Sequence, residues 1–183
     1  MSTKYKFRDN DKLYFVSFAT VYWIDVFSRK LYRDVFLDSL RFCQQNKGLE
    51  LYAYCVMSNH VYLIIGSEKV PLSSLMRDLK KYTSYAILKA IAENPEESRK
   101  EWMLWMFERA GKKKPNNTKY QFWQQDNHPI ELSNQKITAQ KLDYLHNNPV
   151  EAGIVLSPEE YLYSSAKNYF GLNEYLLEVI LIE

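Results

Sequence analysis

Two short segments of this chain place chemically versatile side chains on one face of a strand or a helix. In the segment HVY (60–62), the two-residue period of a strand puts His60 and Tyr62 on the same face. In a later helix, Tyr144 and Asn148 are one turn apart and point away from the apolar stripe, so both could line a cleft. These side chains are candidates for a ligand set or a nucleophile, although a single histidine or tyrosine is more often structural.

Basic side chains form two further clusters, one predicted on the exposed side of a helix and one in a loop. They are Arg77, Lys80 and Lys81 in the helix, and Lys112, Lys113, Lys114 and Lys119 in the loop. Residues 1–120 carry 21 Lys/Arg against 13 Asp/Glu, whereas residues 121–183 carry 3 against 9. A basic body with an acidic C-terminal third would attract a polyanion to one side, and an ordinary solvated surface is the alternative.

The composition excludes several classes of protein. With 183 residues, 46% hydrophobic and 25% charged, the chain can bury a core and is neither fibrous nor disordered. No apolar run reaches the ~18 residues of a membrane span, and the first twelve residues lack the apolar region of a signal peptide. Cys43 and Cys55 form no CxxC pair and the three histidines lack metal-pair spacing, which disfavours zinc and a disulfide framework. We therefore expect a reduced, cytoplasmic protein.

The first half of the chain predicts a strand, a helix and a hairpin of two strands. Residues 13–20 alternate and are aromatic-rich, which predicts a strand. Ser28 is expected to cap a helix that ends at residues 46–48. Residues 49–57 and 60–66 then form two strands joined at Ser58-Asn59, a pair suited to a tight turn.

From this hairpin we expect an antiparallel sheet in which the strands around Ala53 and Leu63 are neighbours. The same pairing puts His60 at a strand end that faces a cleft.

The second half of the chain is predicted to be mainly helical. A helix spans residues 71–92, and Asn94 is expected to cap the next one, with Glu97 completing a capping box. That helix carries Trp102 and Trp105, together with Met106, on one face and ends near residue 111. Residues 120–132 are predicted to be extended.

A further helix is expected from about Ile137 to Asn147, because Pro149 disfavours helical geometry at Asn148. The element order is therefore β-α-β-β-α-β with an added helix. This order predicts an α+β fold with a ferredoxin-like antiparallel sheet. We expect a single domain over residues 1–183, with a helical and basic-loop insertion at 95–119 and a C-terminal extension at 150–183.

Four segments in this order resemble motifs of a known family. YAYCVMSNHVYLIIG resembles the A-x-V-x-M-P-N-H-x-H-L-x strand pair of single-strand DNA transposases with a His-hydrophobic-His signature. Further along the chain, FWQQDNHPIEL is similar to the family's W-Q-x-x-x-x-D-H strand. It is followed by KLDYLHNNPVEAGIV, which is similar to the family's tyrosine helix, and by PEEYLYSSAKNY, which is similar to the W-P-x-S-S segment after that helix. The spacing resembles the REP-associated tyrosine transposase branch in particular, over roughly residues 10–170.

The resemblance implies an enzyme that acts on single-stranded or hairpin DNA. Tyr144 would attack a phosphodiester and form a 5′-phosphotyrosine, leaving a free 3′-hydroxyl. Mg²⁺ or Mn²⁺ would be held by His60, the residue at position 62 and Asn148. The basic clusters would contact DNA, no organic cofactor would be needed, and a nucleoid-associated location would follow. The resemblance leaves open whether the chain acts as a monomer or a homodimer.

Position 62 departs from the family pattern, because Tyr62 stands where the second histidine is expected. A neutral phenol, with a reference pKa of ~10, is a poorer ligand for a hard divalent ion than an imidazole or a carboxylate. Either water or another group completes the ion's shell, with His128 as one candidate, or this copy is weakened or inactive. Two other classes are therefore kept: a non-catalytic DNA-binding relative, and a ferredoxin-like RNA-binding module with exposed aromatic residues.

Overall fold

An antiparallel four-stranded sheet forms the centre of the molecule. The computed structural model describes residues 6–7, 9, 11–113 and 119–182. The strands are β1 (Tyr14–Ala19), β2 (Leu49–Val56), β3 (His60–Ser67) and β4 (Ile130–Glu131), in the spatial order β2-β3-β1-β4. All neighbours are antiparallel. This is the ferredoxin-like order, so the predicted fold class is confirmed.

The hairpin of β2 and β3 forms as predicted. Ala53 is paired with Ile64 and Tyr54 with Leu63. The amide of Met57 donates to the carbonyl oxygen of His60 at 2.9 Å and closes the turn. His60 is therefore the first residue of its strand, as expected.

Helices cover both faces of this sheet. They are α1 (Lys30–Lys47), α2 (Leu72–Glu93), α3 (Lys100–Lys112), α4 (Gln135–Glu151) and the short α5 (Ala166–Tyr169). Phe18 of β1 contacts Phe36 of α1, with 6.2 Å between ring centroids. Phe15 of the same strand points to the other face, where its ring centroid is 6.1 Å from that of Tyr144 in α4. None of the helices in the described ranges has both the length and the apolar character that a bilayer crossing requires.

The predicted start of α1 is wrong by one residue, while its end is confirmed. Ser28 ends a short 3₁₀ turn, and Arg29 takes the N-cap position without a side-chain capping bond. At the other end, Gly48 has φ of 72°. A glycine adopts this left-handed conformation without the clash that a Cβ would cause, so the helix stops where expected.

The predicted capping box at Asn94 is also wrong, because this segment forms a turn and α3 begins only at Lys100. The Glu97 carboxylate is buried and binds Arg29 at 2.7 Å and the Tyr32 hydroxyl at 3.1 Å, both of them near or within α1. A buried carboxylate needs such partners, so tertiary contacts override the local capping signal.

The predicted aromatic face of α3 is formed, but it faces solvent. Trp102 and Trp105 are both exposed. Met103 and Phe107 are buried instead and join the core.

Helix α4 is longer than predicted at both ends. Asn134 caps it, since its side-chain oxygen accepts from the amide of Ile137 at 3.0 Å. Pro149 lies within the helix, and the ladder resumes when the amide of Ala152 donates to Asn148 at 3.0 Å. A proline removes one backbone donor, and the burial of this proline offsets that loss. Asn148 therefore stays helical, one turn after Tyr144.

The segment predicted as extended is mostly irregular. Within residues 120–132, the strand β4 has two residues, and Trp123 forms an isolated bridge with Thr20. Residues further along the chain cover the free edge of β2. The amide of Val56 donates to the carbonyl of Tyr163 at 2.9 Å, and the amide of Ile180 donates to Leu51 at 2.9 Å. The predicted domain limits stay predictions.

Candidate active site

The chemically versatile residues singled out in the sequence meet on the α4 face of the sheet. The hydroxyl oxygens of Tyr62 and Tyr144 are 3.2 Å apart, and their ring centroids are 5.4 Å apart. The His60 ring lies 4.9 Å from the Tyr62 ring. The Asn148 side chain interacts with both His60 and Tyr62. We call these four residues the Tyr144 cluster.

Strand alternation explains why β3 contributes two members of the cluster. In the sheet, Tyr62 lies between Ser17 of β1 and Cys55 of β2. Both neighbours are small, which leaves room for the phenol ring on this face. Phe15 stacks against the same ring at 5.8 Å. Tyr144 stands above it and is 41% exposed, so a substrate can reach its hydroxyl.

Asn59 fixes the tautomer of His60. Its amide nitrogen donates to the carbonyl oxygen of Trp23 at 3.2 Å, so its oxygen faces Nδ1 of His60 at 2.6 Å. Nδ1 must then carry the proton, and Nε2 keeps its lone pair. Within the described residues, this buried Nε2 has no hydrogen-bond partner. Burial lowers the pKa of His60 and outweighs the opposite effect of Asn148, so burial favours the neutral ring.

The sequence analysis treated Asn59 only as a turn residue. Its position directly before the histidine, in the Asn-His pair of the motif, could have indicated that it contacts His60.

Tyr62 is a neutral phenol in this environment. Burial raises its pKa, and its hydrogen bond with Tyr144 raises the pKa further. The hydrogen bond between the two phenols holds the hydroxyl of Tyr144 in place.

The Tyr144 cluster does not fit the metal site that the family resemblance implies. His60 offers one nitrogen lone pair, but Asn148 offers only a neutral amide, and the Tyr62 phenol is protonated and bonded to Tyr144. Magnesium in proteins is usually held through carboxylates. No group of three or more His, Cys, Asp or Glu side chains suited to a metal ion occurs within the described part of the chain. These four side chains are therefore a poor set of ligands for a hard divalent ion.

A lysine that the sequence analysis did not select borders the cluster. The Lys141 ammonium lies 5.1 Å from the Phe15 ring centroid and 5.5 Å from the Tyr144 ring centroid. It precedes Tyr144 by three residues on α4, which puts both on one side of the helix. The arrangement places a positive charge beside the partly exposed ring of Tyr144.

The prediction that Lys80 lies on the exposed side of α2 is wrong, because its side chain is largely buried, which disfavours its predicted contact with DNA. Its ammonium donates to the Gln124 carbonyl and to the Asn127 side chain, both at 2.7 Å. Burial lowers the pKa of Lys80 to about 8. Its two helix neighbours in the predicted cluster are exposed, and Arg77 is also 3.2 Å from Asp78. Lys81 thus remains available to an anion.

The lysines predicted to lie in the basic loop contact different partners. Lys112 pairs with Glu108 at 2.9 Å. The Lys113 ammonium lies 5.5 Å from the Tyr22 ring centroid, and that of Lys119 lies 4.8 Å from the Tyr120 ring centroid. Lys114 lies outside the described residues, so its predicted DNA contact stays a prediction. His128 is exposed and has a left-handed φ of 40°.

Comparison with known proteins decides the family. The family model for IS200-like transposases matches residues 12–108, more than half of the chain. The chain belongs to the IS200-like transposase family. In this IS200-like transposase, the matched range includes His60 and Tyr62, whereas Tyr144 and Asn148 lie beyond it. No curated protein matches the chain.

Solved structures show the same fold. The REP-associated tyrosine transposase bound to a REP hairpin is 17% identical, with a TM-score of 0.66, covering 100% of this chain and 96% of the other. A candidate transposase from Deinococcus radiodurans R1 is 21% identical, with a TM-score of 0.47, covering 80% of this chain and 97% of the other. The first likeness establishes the fold of this IS200-like transposase, and the second carries no further weight.

Proposed function

We propose that this IS200-like transposase binds single-stranded hairpin DNA and cleaves and rejoins it through Tyr144. The observation that carries the proposal is the Tyr144 cluster, in which an exposed tyrosine hydroxyl lies beside Tyr62, His60 and Asn148. Family membership supports a DNA-processing role. The similarly folded REP-associated transposase is bound to a DNA hairpin, which makes a hairpin the first substrate to test.

In the proposed reaction, the Tyr144 oxygen forms a bond to the phosphorus of a phosphodiester as the bond from phosphorus to the 3′-oxygen breaks. The products are a 5′-phosphotyrosine and a free 3′-hydroxyl, which takes up a proton. Attack by a 3′-hydroxyl on the phosphotyrosine reverses the step and rejoins the strand. The energy of the broken bond is kept in the phosphotyrosine, so no nucleotide cofactor is consumed.

The neighbours of Tyr144 have distinct roles in this proposal. Lys141 supplies positive charge for the phosphate that approaches the hydroxyl. Tyr62 positions that hydroxyl through the hydrogen bond between the two phenols. His60, neutral and with a free Nε2, is the group in the cluster that can accept the tyrosine proton. Dependence on Mg²⁺ or Mn²⁺ stays an untested prediction of the resemblance.

A second candidate function is non-catalytic binding of DNA hairpins. The observation that favours it is the neutral phenol of Tyr62 at the position where the family resemblance requires a ligand. In that case the protein would keep the fold and its cationic surface without cutting the strand. Both candidates require the same DNA, so the chemistry has to be tested directly.

The test is formation of a covalent adduct with a labelled single-stranded hairpin, with and without Mn²⁺. Wild-type protein should form an adduct that survives SDS and heat, and Tyr144→Phe should form none, because phenylalanine lacks only the attacking oxygen. Tyr85→Phe is the matched control, since this tyrosine is exposed on α2. If Tyr62 limits the reaction through a missing ligand, Tyr62→His should be faster in Mn²⁺.

The remaining outcomes separate the alternatives. Hairpin binding without an adduct in both wild type and Tyr62→His would favour the non-catalytic candidate. An adduct that persists in Tyr144→Phe would assign the nucleophile to another tyrosine.

A further inference from the structure

Two consecutive aromatic residues after β1 have an unusual backbone conformation. Tyr22 and Trp23 have φ of 56° and 55°, in the left-handed region that residues other than glycine seldom occupy. Their side chains are nevertheless 42% and 58% exposed. Such conformations cost free energy and are concentrated at active sites and ligand-binding sites.

The turn that holds these two residues is fixed by other groups. The buried hydroxyl of Thr20 donates to the carbonyl of Ile24 at 2.7 Å, and the amide of Val21 donates to Phe122 at 2.8 Å. Asn59 donates to the carbonyl of Trp23. The two aromatic rings do not contribute to these bonds, so neither backbone hydrogen bonding nor core packing explains why the chain presents large rings here.

Trp23 borders the Tyr144 cluster. Its ring centroid is 5.9 Å from that of His60, with the two rings nearly perpendicular. Asn59 bonds to both residues, through its amide nitrogen and its oxygen respectively. A ligand in the cluster would therefore extend onto the exposed face of Trp23 without crossing another element.

Cationic and aromatic side chains continue from Tyr22 onto α3. The Lys113 ammonium lies 5.5 Å from the Tyr22 ring centroid, and the Arg109 guanidinium lies 5.4 Å from the Trp105 ring centroid. Lys113, Arg109 and Trp105 line a shallow cleft of about 300 Å³. We call Trp23, Tyr22, Lys113, Arg109 and Trp105 the aromatic track.

We propose that the aromatic track binds an unpaired segment of DNA next to the Tyr144 cluster, with a base stacked on Trp23 and phosphates contacted by Lys113 and Arg109. This inference rests on the proposed function and extends it to a second binding site. Rings interspersed with cations suit single strands, because unpaired bases expose a π-face while their phosphates need positive charge. A duplex offers no free base faces along its length.

The experiment measures binding to two fluorescently labelled DNA hairpins, one blunt and one with an unpaired tail, by anisotropy. All variants carry Tyr144→Phe, so that the DNA stays intact and binding is measured without cleavage. Trp23→Ala should weaken binding of the tailed hairpin by about 5- to 150-fold, because it removes the ring on which one base stacks. It should change binding of the blunt hairpin little, and Trp23→Phe should keep most of the affinity.

Tyr85→Ala is the matched control, because this exposed ring lies on α2 outside the track. Thermal unfolding should show all variants folded, since the Trp23 ring is exposed. Equal affinity of the Tyr144→Phe protein with and without Trp23→Ala for the tailed hairpin would overturn the inference, as would an equal loss in Tyr85→Ala. Tighter binding of the same tailed hairpin made of RNA would overturn its assignment to DNA.

The two proposals can fail separately in these assays. A protein that binds the tailed hairpin through Trp23 but forms no Tyr144 adduct supports the track and contradicts cleavage. A protein that forms the adduct while Trp23→Ala binds normally supports cleavage and contradicts the track.

Discussion

The two faces of the sheet are built from the same strands, yet they differ in what they tolerate. Under α1 and α2, the rings of Phe18, Phe27, Phe36 and Trp123 pack together, with Phe18 and Trp123 4.8 Å apart. All four are buried. The indole nitrogen of Trp123 donates to the hydroxyl of Thr83 at 3.0 Å.

Under α4, the same strands present Ser17, His60 and Tyr62 to a tyrosine that is partly exposed. A strand alternates its side chains, so one segment can supply both a dry core and a polar cluster. The closed face buries a cluster of large rings, so we expect it to contribute much of the stability and to permit neutral, partly solvated polar groups on the other face.

The largest expected effect comes from opening the closed face. Phe36→Ala should lower the free energy of unfolding by about 3–5 kcal/mol, because it leaves a cavity among rings that cannot collapse onto it. Denaturant unfolding measures the loss. A decrease below about 1 kcal/mol would mean that this face is not the main source of stability.

The pH dependence of stability should report on the α4 side. His146 is buried, its Nε2 is 2.9 Å from the Ser165 hydroxyl, and burial lowers its pKa to about 4. Between about pH 6.5 and 4, the unfolded chain binds a proton here that the folded protein does not. Stability should therefore fall as the pH falls through this range, by up to about 3 kcal/mol.

Urea unfolding of wild type and His146→Gln at pH 7 and pH 4 isolates this contribution, because carboxylates titrate equally in both. Identical pH slopes for the two proteins would contradict the assignment.

The lysines at and after the end of α3 should contribute more to DNA binding than the largely buried lysine of α2. Replacing Lys112, Lys113 and Lys114 by Ala should reduce the slope of log affinity against log salt by about 2, given about 0.7 per phosphate contact for a single strand. Lys80→Ala should leave that slope unchanged, because its ammonium is held by Gln124 and Asn127. Hairpin binding titrated from low to high salt checks both, and a flattened slope in Lys80→Ala would refute the burial argument.

The smallest expected effect is that of Tyr144→Phe on stability. Tyr144 is partly exposed, and its hydroxyl is hydrogen-bonded to that of Tyr62. The free energy of unfolding should change by less than about 0.5 kcal/mol. Denaturant unfolding alongside Phe36→Ala makes the comparison directly. A loss as large as that of the core variant would mean that the Tyr144 cluster is structural.

Several features of the site could be predicted because they depend on local periodicity. The two-residue period of β3 is enough to put His60 and Tyr62 on one face, and the turn at Ser58-Asn59 is enough to pair β3 with β2. Helical spacing likewise puts Tyr144 and Asn148 on one side of α4. Each of these relations involves residues close in the chain, whose geometry follows from backbone conformation alone.

The features that the sequence did not predict depend on contacts between residues that are distant in the chain. Glu97 finds Arg29 and Tyr32, which displaces the expected start of α3, and Lys80 is enclosed by the returning segment at Gln124. The turn at Trp23 meets Asn59 only when β1 and β3 pair. Burial, tautomer and charge state depend on such neighbours, and the energy of a buried polar group is set by whichever partner the fold brings to it.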